Sequence, residues 1–220
     1  MGRTAWIVGG TGVVGTELVK QALESKAYSR VVMLVRKPIS LTHPKLEQRE
    51  VEFNKLADYE FMMNGDDVFC CLGTTIKKAG SQQAFRLVDY DYPVQLAQIA
   101  KKQGAQRFLI ITAMGANARS IIFYSRVKGE LEQQLQALGL PALHIFRPSL
   151  ITGNRQDRRS GEAFAVILMK VLNPLLVGPM RKYRSIDAAV IASAMLHATD
   201  QQTEGSSIYN SDQIADLGKI

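Results

Sequence analysis

Residues 4–15 read Thr-Ala-Trp-Ile-Val-Gly-Gly-Thr-Gly-Val-Val-Gly, an apolar run that breaks at once into glycines and then into a helical pattern. The run at 5–8 predicts the first, fully buried strand of a parallel sheet. The glycines fit two spacings, Gly10-x-Gly12-x-x-Gly15 and Gly9-x-x-Gly12-x-x-Gly15. They allow a tight turn, a close approach of backbone to a ligand, and close packing of the helix that follows over 12–25. That helix would aim its free N–H groups and positive dipole end at an anion. The stretch therefore predicts a pyrophosphate cradle, and so a dinucleotide site, built from Gly9, Gly10, Thr11, Gly12, Val13, Val14 and Gly15.

The rest of the chain alternates apolar runs with helical patterns, the signature of an α/β fold with a parallel sheet covered on both faces. Predicted strands fall at 5–8, 31–35, 50–53, 68–72, 108–112 and 143–146, with a last short one at 207–209. Predicted helices fall near 12–25, 57–63, 82–103, 124–138, 162–172 and 188–198, with a final turn or helix at 212–217. The reading is one Rossmann-type doubly wound domain over 1–220, with a small C-terminal substrate-side region and lid elements within 149–185.

A chain of 220 residues, 46% hydrophobic and 21% charged, suits one domain with a sizeable core. No apolar stretch approaches the length of a bilayer-spanning helix. The first strand begins almost at the N-terminus, leaving no room for a signal peptide, so the expected compartment is the cytoplasm. Cys70 and Cys71 are adjacent on a strand and point to opposite faces, and His43, His144 and His197 are scattered. Neither a disulfide nor a metal site is expected. The net charge of +7 is spread along the chain without a stacking-aromatic motif, so nucleic acid is not an expected partner.

An NAD site usually carries an acid about 20 residues beyond the glycines, on the ribose 2′-hydroxyl. Here the second strand ends in Arg36-Lys37. An acid would repel a 2′-phosphate, whereas a guanidinium can grip it with two hydrogen bonds and stack on adenine. NADP(H) is therefore the expected cofactor. Leu72, Gly73 and Thr74 follow the fourth strand, where open α/β sheets bind their ligands, and are expected to line it.

Among the seven tyrosines only Tyr124 has a lysine four residues on, Lys128. The two lie about 40° apart round a helix. They border the stripe formed by Val127, Leu131, Leu135 and Leu138. A lysine there favours tyrosinate and can also hold ribose hydroxyls. Thr112, ending the fifth strand, can supply a hydroxyl to polarise a carbonyl; a shift of one residue would put Ala113 there instead.

The combination of Gly-x-x-Gly-x-x-Gly with Tyr-x-x-x-Lys resembles the atypical or extended short-chain dehydrogenases/reductases. Within them the chain resembles the Tat-interacting-protein-like branch of small NADPH-binding proteins. The specific points are Phe69-Cys-Cys-Leu-Gly-Thr-Thr75, Lys78-Ala-Gly80, Val127-Lys-Gly-Glu130, Phe146-Arg-Pro148 and Asp216-Leu-Gly-Lys219. The resemblance implies that Gly9, Gly12 and Gly15 hold the pyrophosphate and Arg36 the 2′-phosphate. It implies that Phe53 lies against adenine and that Pro148 and Leu150 flank the nicotinamide. Tyr124 would exchange the proton, with Lys128 as its partner.

The expected activity is NADPH-dependent reduction of a small carbonyl substrate, or the reverse oxidation. A non-catalytic NADPH sensor that binds a protein partner is the alternative, since a fold does not establish an activity. Sugar-nucleotide epimerisation uses the same residues, but the region after Pro148 is short for it. The segment 163–183 is the candidate surface for a protein partner, with core helix and solvated loop its plainer meaning; a homo-oligomer is left open without an assigned surface. The arginine-rich loop 154–162 could meet an anionic substrate or simply be a solvated turn.

Overall fold

The computed structural model describes residues 2–62, 65–153, 176 and 178–219. Nine strands are present among them: β1 Arg3–Val8, β2 Tyr28–Val35, β3 Leu46–Glu50, β4 Asp67–Cys70, β5 Arg107–Ile111, β6 Ala142–Arg147, β7 Ile151–Thr152, β8 Ile186–Asp187 and β9 Gly205–Asn210. Seven form one sheet in the order β3-β2-β1-β4-β5-β6-β9, every pair parallel. β7 and β8 make a separate short parallel pair. The strand order reverses between β1 and β4, which opens a crevice at their carboxyl ends, where ligands of such sheets bind.

Alternation along β1 shows how the sequence builds two cores. Ala5 and Ile7 face one side, against α1 (Val13–Glu24) and the later helix Ala188–Ala198, with Leu18, Ala22, Ile191 and Met195. Trp6 and Val8 face the other, against the helices Tyr92–Lys102 and Phe123–Ala137, with Leu96, Leu131 and Leu135. A strand buried on both faces must be apolar at every position, and Ala5, Trp6, Ile7 and Val8 are all fully buried.

The second to fifth helices in chain order are α2 (Ile76–Ala79), α3 (Gln82–Arg86), α4 (Tyr92–Lys102) and α5 (Phe123–Ala137); α6 (Ala188–Ala198) and α7 (Ser211–Leu217) follow. The helix expected over 82–103 is there, but α3 and α4 are joined by a wide π turn, Leu87–Asp91. The strand expected at 50–53 lies earlier, at Leu46–Glu50. It is the sheet edge, only half buried, and its sequence Leu-Glu-Gln-Arg-Glu is polar, as edge strands commonly are. Phe53 instead opens a 3₁₀ segment, Phe53–Met62, kinked at Lys55, where a helix over 57–63 was expected. The expected helix 162–172 and the arginine-rich loop 154–162 lie outside the described residues.

Candidate functional site

At the carboxyl end of β1 the chain turns through Gly9 with φ +85°, a conformation that glycine adopts without steric cost. A Cβ on Gly9 would lie 2.6 Å from the carbonyl group of Cys71, and one on Gly15 would lie 2.1 Å from the Gly9 oxygen. Those two glycines are thus consumed by packing β1, β4 and α1 together. Gly12 differs. It is the N-cap of α1, without a side-chain cap, and its Cβ position meets only the Gly9 oxygen, at 3.3 Å. Thr11 and Gly12 are exposed, and no acid sits in the first turn of α1. An open helix N-terminus lined by glycine fits a pyrophosphate. Val14 is buried beneath it, and Val13 meets Gly153, where an added Cβ would come within 3.0 Å of the Val13 side chain. The chain leaving β7 therefore returns to the rim of the glycine turn, a contact that no sequence motif announced.

Arg36 and Lys37 are exposed just beyond β2. Across from them, the Phe53 ring tilts against Tyr92 with centroids 5.5 Å apart, and the Tyr92 hydroxyl donates to Asn54. Burial and then Asp91 raise the Tyr92 hydroxyl pKa, while the Arg36 guanidinium opposes them, so Arg36 and Tyr92 share one neighbourhood. The sequence singled out Arg36, the resemblance singled out Phe53, and neither pointed to Tyr92.

Beyond β4, Leu72, Gly73 and Thr74 form a loop tied down from below. The Thr74 N–H donates to Asp89 Oδ2 at 2.8 Å, and the other carboxylate oxygen, Oδ1, lies 2.8 Å from the Lys128 ammonium. Both side chains are almost completely buried, at 1% and 4% exposed. Burial by itself would lower the Lys128 pKa; Asp89 and then Tyr124 overcome it and hold it above the ordinary lysine value. Lys128 is thus near Tyr124, as its spacing predicts, but its charge already has a partner. Tyr124 stands at the rim, 36% exposed, its ring 5.7 Å from that of buried Phe85.

Thr112 lies one residue past β5 and is buried. Its hydroxyl donates to Glu132 Oε1 at 2.6 Å, and Glu132 also accepts from Arg147. The geometry thus gives that hydroxyl a structural partner below the site instead of an opening into it, and Ala113 follows it. Pro148 is buried and accepts the Met114 N–H at 3.0 Å, holding the loops after β5 and β6 together, and Leu150 next to it is half buried.

Asp89 and Glu132 were the acids that sequence reasoning missed, although each left a signal. Phe85, Asp89 and Leu96 share one helical stripe, as do Lys128, Glu132 and Leu135. An acid on an apolar stripe calls for a buried cation, and a lysine on one calls for a buried anion.

Comparison with known proteins agrees with this geometry. Residues 9–160, more than half of the chain, match a family described as NAD(P)H-binding. Protein HTATIP2 of Rattus norvegicus is 35% identical over 74% of this chain and 69% of its own length. The mitochondrial protein FMP52 of Debaryomyces hansenii is 33% identical over 70% of this chain and 69% of its own. Among solved structures, MoeE5 in complex with UDP-glucuronic acid and NAD superposes with a TM-score of 0.71 at 17% identity, covering 95% of this chain and 76% of the other. UDP-glucose 4-epimerase from Thermotoga maritima does so at 0.70 and 16%, covering 98% and 81%. These likenesses show the fold alone. The cytoplasmic expectation is corrected: several fungal relatives are named as mitochondrial proteins, and a start close to the first strand does not determine location. Among the described residues no helix is long and apolar enough to cross a membrane. The nicotinamide-cofactor fold, the glycine cradle and the relatives agree, and the chain belongs to the NAD(P)H-binding atypical short-chain dehydrogenases/reductases, in the branch that holds HTATIP2 and FMP52.

Proposed function

We propose that the protein is an NADPH-dependent oxidoreductase acting on a carbonyl/alcohol pair of a small molecule. The observation that carries this reading is the placement of Tyr124, partly exposed, one helical turn from buried Lys128 at the carboxyl end of the sheet that carries the glycine cradle. Gly12 and the first N–H groups of α1 would hold the pyrophosphate, with Gly9, Gly10 and Gly15 shaping the turn and Thr11, Val13 and Val14 its walls. Arg36, helped by Lys37, would grip the 2′-phosphate, and Phe53 with Tyr92 would flank the adenine. Leu72, Gly73 and Thr74 would line the ribose side, and Pro148 and Leu150 the nicotinamide side.

Bound NADPH supplies the two electrons of reduction. Tyr124 gives its phenolic proton to the substrate oxygen, and Lys128 anchors the α5 turn on which Tyr124 stands. The test is a panel of aldehydes and ketones with NADPH, followed by the loss of nicotinamide absorbance. Turnover that vanishes in Tyr124→Phe supports the reading; turnover equal in both proteins removes Tyr124 from it.

A second reading, a cofactor-binding regulatory protein, is favoured by one observation: the Thr112 hydroxyl is bound to Glu132, and the residue after it is alanine. Tight NADPH binding with no turnover across the panel would select it.

A further inference from the structure

From Arg36 to Lys45 the chain joins β2 to β3 with no helix between them, and Arg36 to Pro44 are exposed. Exposed connections are ordinarily the more mobile parts of a fold. Here one side chain staples the loop at its middle. Gln48 Oε1 accepts the Ile39 N–H, and Gln48 Nε2 donates to the carbonyls of Ile39 and Leu41, all three at 2.9 Å. Gln48 itself stands half buried on β3, in register with Met33 of β2.

The residue type suits the task. The neighbours of Gln48 on β3 are Glu47, Arg49 and Glu50, and a carboxylate could only accept where a guanidinium could only donate. An amide serves one N–H and two carbonyls at once. It is also neutral, so it leaves the positive charge of Arg36 and Lys37 unopposed. On the other side of those two residues, the Val51 N–H donates to the Val35 carbonyl at 2.9 Å, anchoring β2 up to its last residue. Arg36, Lys37 and Pro38 therefore span between two fixed points, Val35 and Ile39. Pro38 sets its own φ and steers Lys37 toward extended backbone. Two cations on an exposed loop are thus carried on a short, determined path, in the neighbourhood that Arg36 shares with Tyr92.

We propose that Gln48 is a positioning residue for cofactor choice: it holds the Arg36-Lys37 loop in a receptive shape for a 2′-phosphate, and so strengthens the binding of NADPH over NADH. This rests on the NADPH reading given above. A loop that had to be ordered at the moment of binding would lose backbone entropy there. A loop already ordered makes the same contacts at less cost and binds more tightly. NADH has no 2′-phosphate for the loop to meet, so its affinity does not depend on that order. Gln48 touches no cofactor atom in this scheme and acts through Arg36 alone.

The experiment uses Gln48→Met, which keeps the length of the side chain and removes its donors and its acceptor. Without cofactor, the Ile39 amide should exchange with solvent at least about tenfold faster in the variant, as followed by NMR. NADPH and NADH are then titrated into the wild type, Gln48→Met, Arg36→Ala and the double variant. Gln48→Met should weaken NADPH by about three- to tenfold and change NADH by less than about twofold. In the Arg36→Ala background the same substitution should change NADPH by less than about twofold, because the group being positioned is gone. Ile39 exchange equal to that of the wild type overturns the staple. A loss of NADPH affinity below about threefold, an equal loss for NADH, or an undiminished loss in the Arg36→Ala background overturns the role in cofactor choice. A wild type that binds NADH as tightly as NADPH removes the NADPH reading itself, and this proposal with it, whatever the exchange of Ile39.

Discussion

The Thr112 hydroxyl donates to the Glu132 carboxylate across 2.6 Å, and both side chains are buried between β5 and α5. Glu132 also receives Arg147 from β6, so one acid pins two strands to the helix that carries Tyr124 and Lys128. Thr112→Val removes a charge-assisted bond and leaves the Glu132 oxygen with Arg147 alone. Stability should fall by about 2 kcal/mol in urea unfolding, with NADPH affinity little changed. A stability equal to the wild type would show that this bond does not hold the helix.

The glycine turn separates packing from ligand approach. Gly15→Ala places a Cβ 2.1 Å from the Gly9 oxygen and should destabilise the protein and abolish cofactor binding together. Gly12 has ordinary φ −79°, and a Cβ there would meet only the Gly9 oxygen, at 3.3 Å, a contact that a shift of a few tenths of an ångström relieves. Gly12→Ala should therefore keep its melting temperature within a few degrees, yet weaken NADPH binding by at least about tenfold, because the methyl group would stand where the proposed cradle receives the pyrophosphate. Paired thermal melts and binding isotherms for the two variants check this.

Cofactor choice is expected to rest on Arg36. Losing its charge-assisted bonds to a 2′-phosphate should weaken NADPH by roughly 10- to 100-fold in Arg36→Ala, while NADH binding changes little. Titrating both cofactors into both proteins measures the ratio. An equal loss for NADH and NADPH would mean that Arg36 does not read the 2′-position.

Much of this was legible in the sequence, and the parts that were not share a physical cause. The strands buried on both faces announce themselves as unbroken apolar runs, and β1, β4, β5 and β6 fall within one or two residues of expectation. The edge strand β3 carries no such signal, because its Leu-Glu-Gln-Arg-Glu sequence faces solvent along one side. Tyr124 and Lys128 were found by spacing, but spacing could not show that Lys128 is neutralised by an acid 39 positions earlier in the chain (128 − 89). The Val127-Lys-Gly-Glu130 motif is explained only in three dimensions. Val127 enters the buried interior and Lys128 meets Asp89. Gly129 admits the backbone of Asn117 and Ala118, which a Cβ would approach to 2.2 and 2.1 Å, and Glu130 pairs with Arg86.

His144 gives the fold a pH dependence of its own. It is fully buried on β6, its Nδ1–H donating to the Tyr209 hydroxyl and its Nε2 accepting from Thr203. Burial, reinforced by Arg107, lowers its pKa to about 4. The folded value lies below the unfolded one, about 6.5, so the unfolded chain binds more protons between the two. This contribution to stability is complete above pH 6.5 and is lost as pH falls toward 4, up to about 3 kcal/mol. Urea midpoints measured from pH 7.5 to 4.5 should drop less steeply in His144→Gln than in the wild type; parallel curves would assign the acid sensitivity elsewhere.

The central claim, a nicotinamide site built to serve Tyr124, is tested most directly by measuring NADPH binding and NADPH-dependent carbonyl reduction side by side in wild type and Tyr124→Phe. The expected result is the same dissociation constant within about threefold in both, with turnover in the wild type alone, lower by at least about 100-fold in the variant. Failure of the wild type to bind NADPH, or equal turnover by the two proteins, would contradict the account.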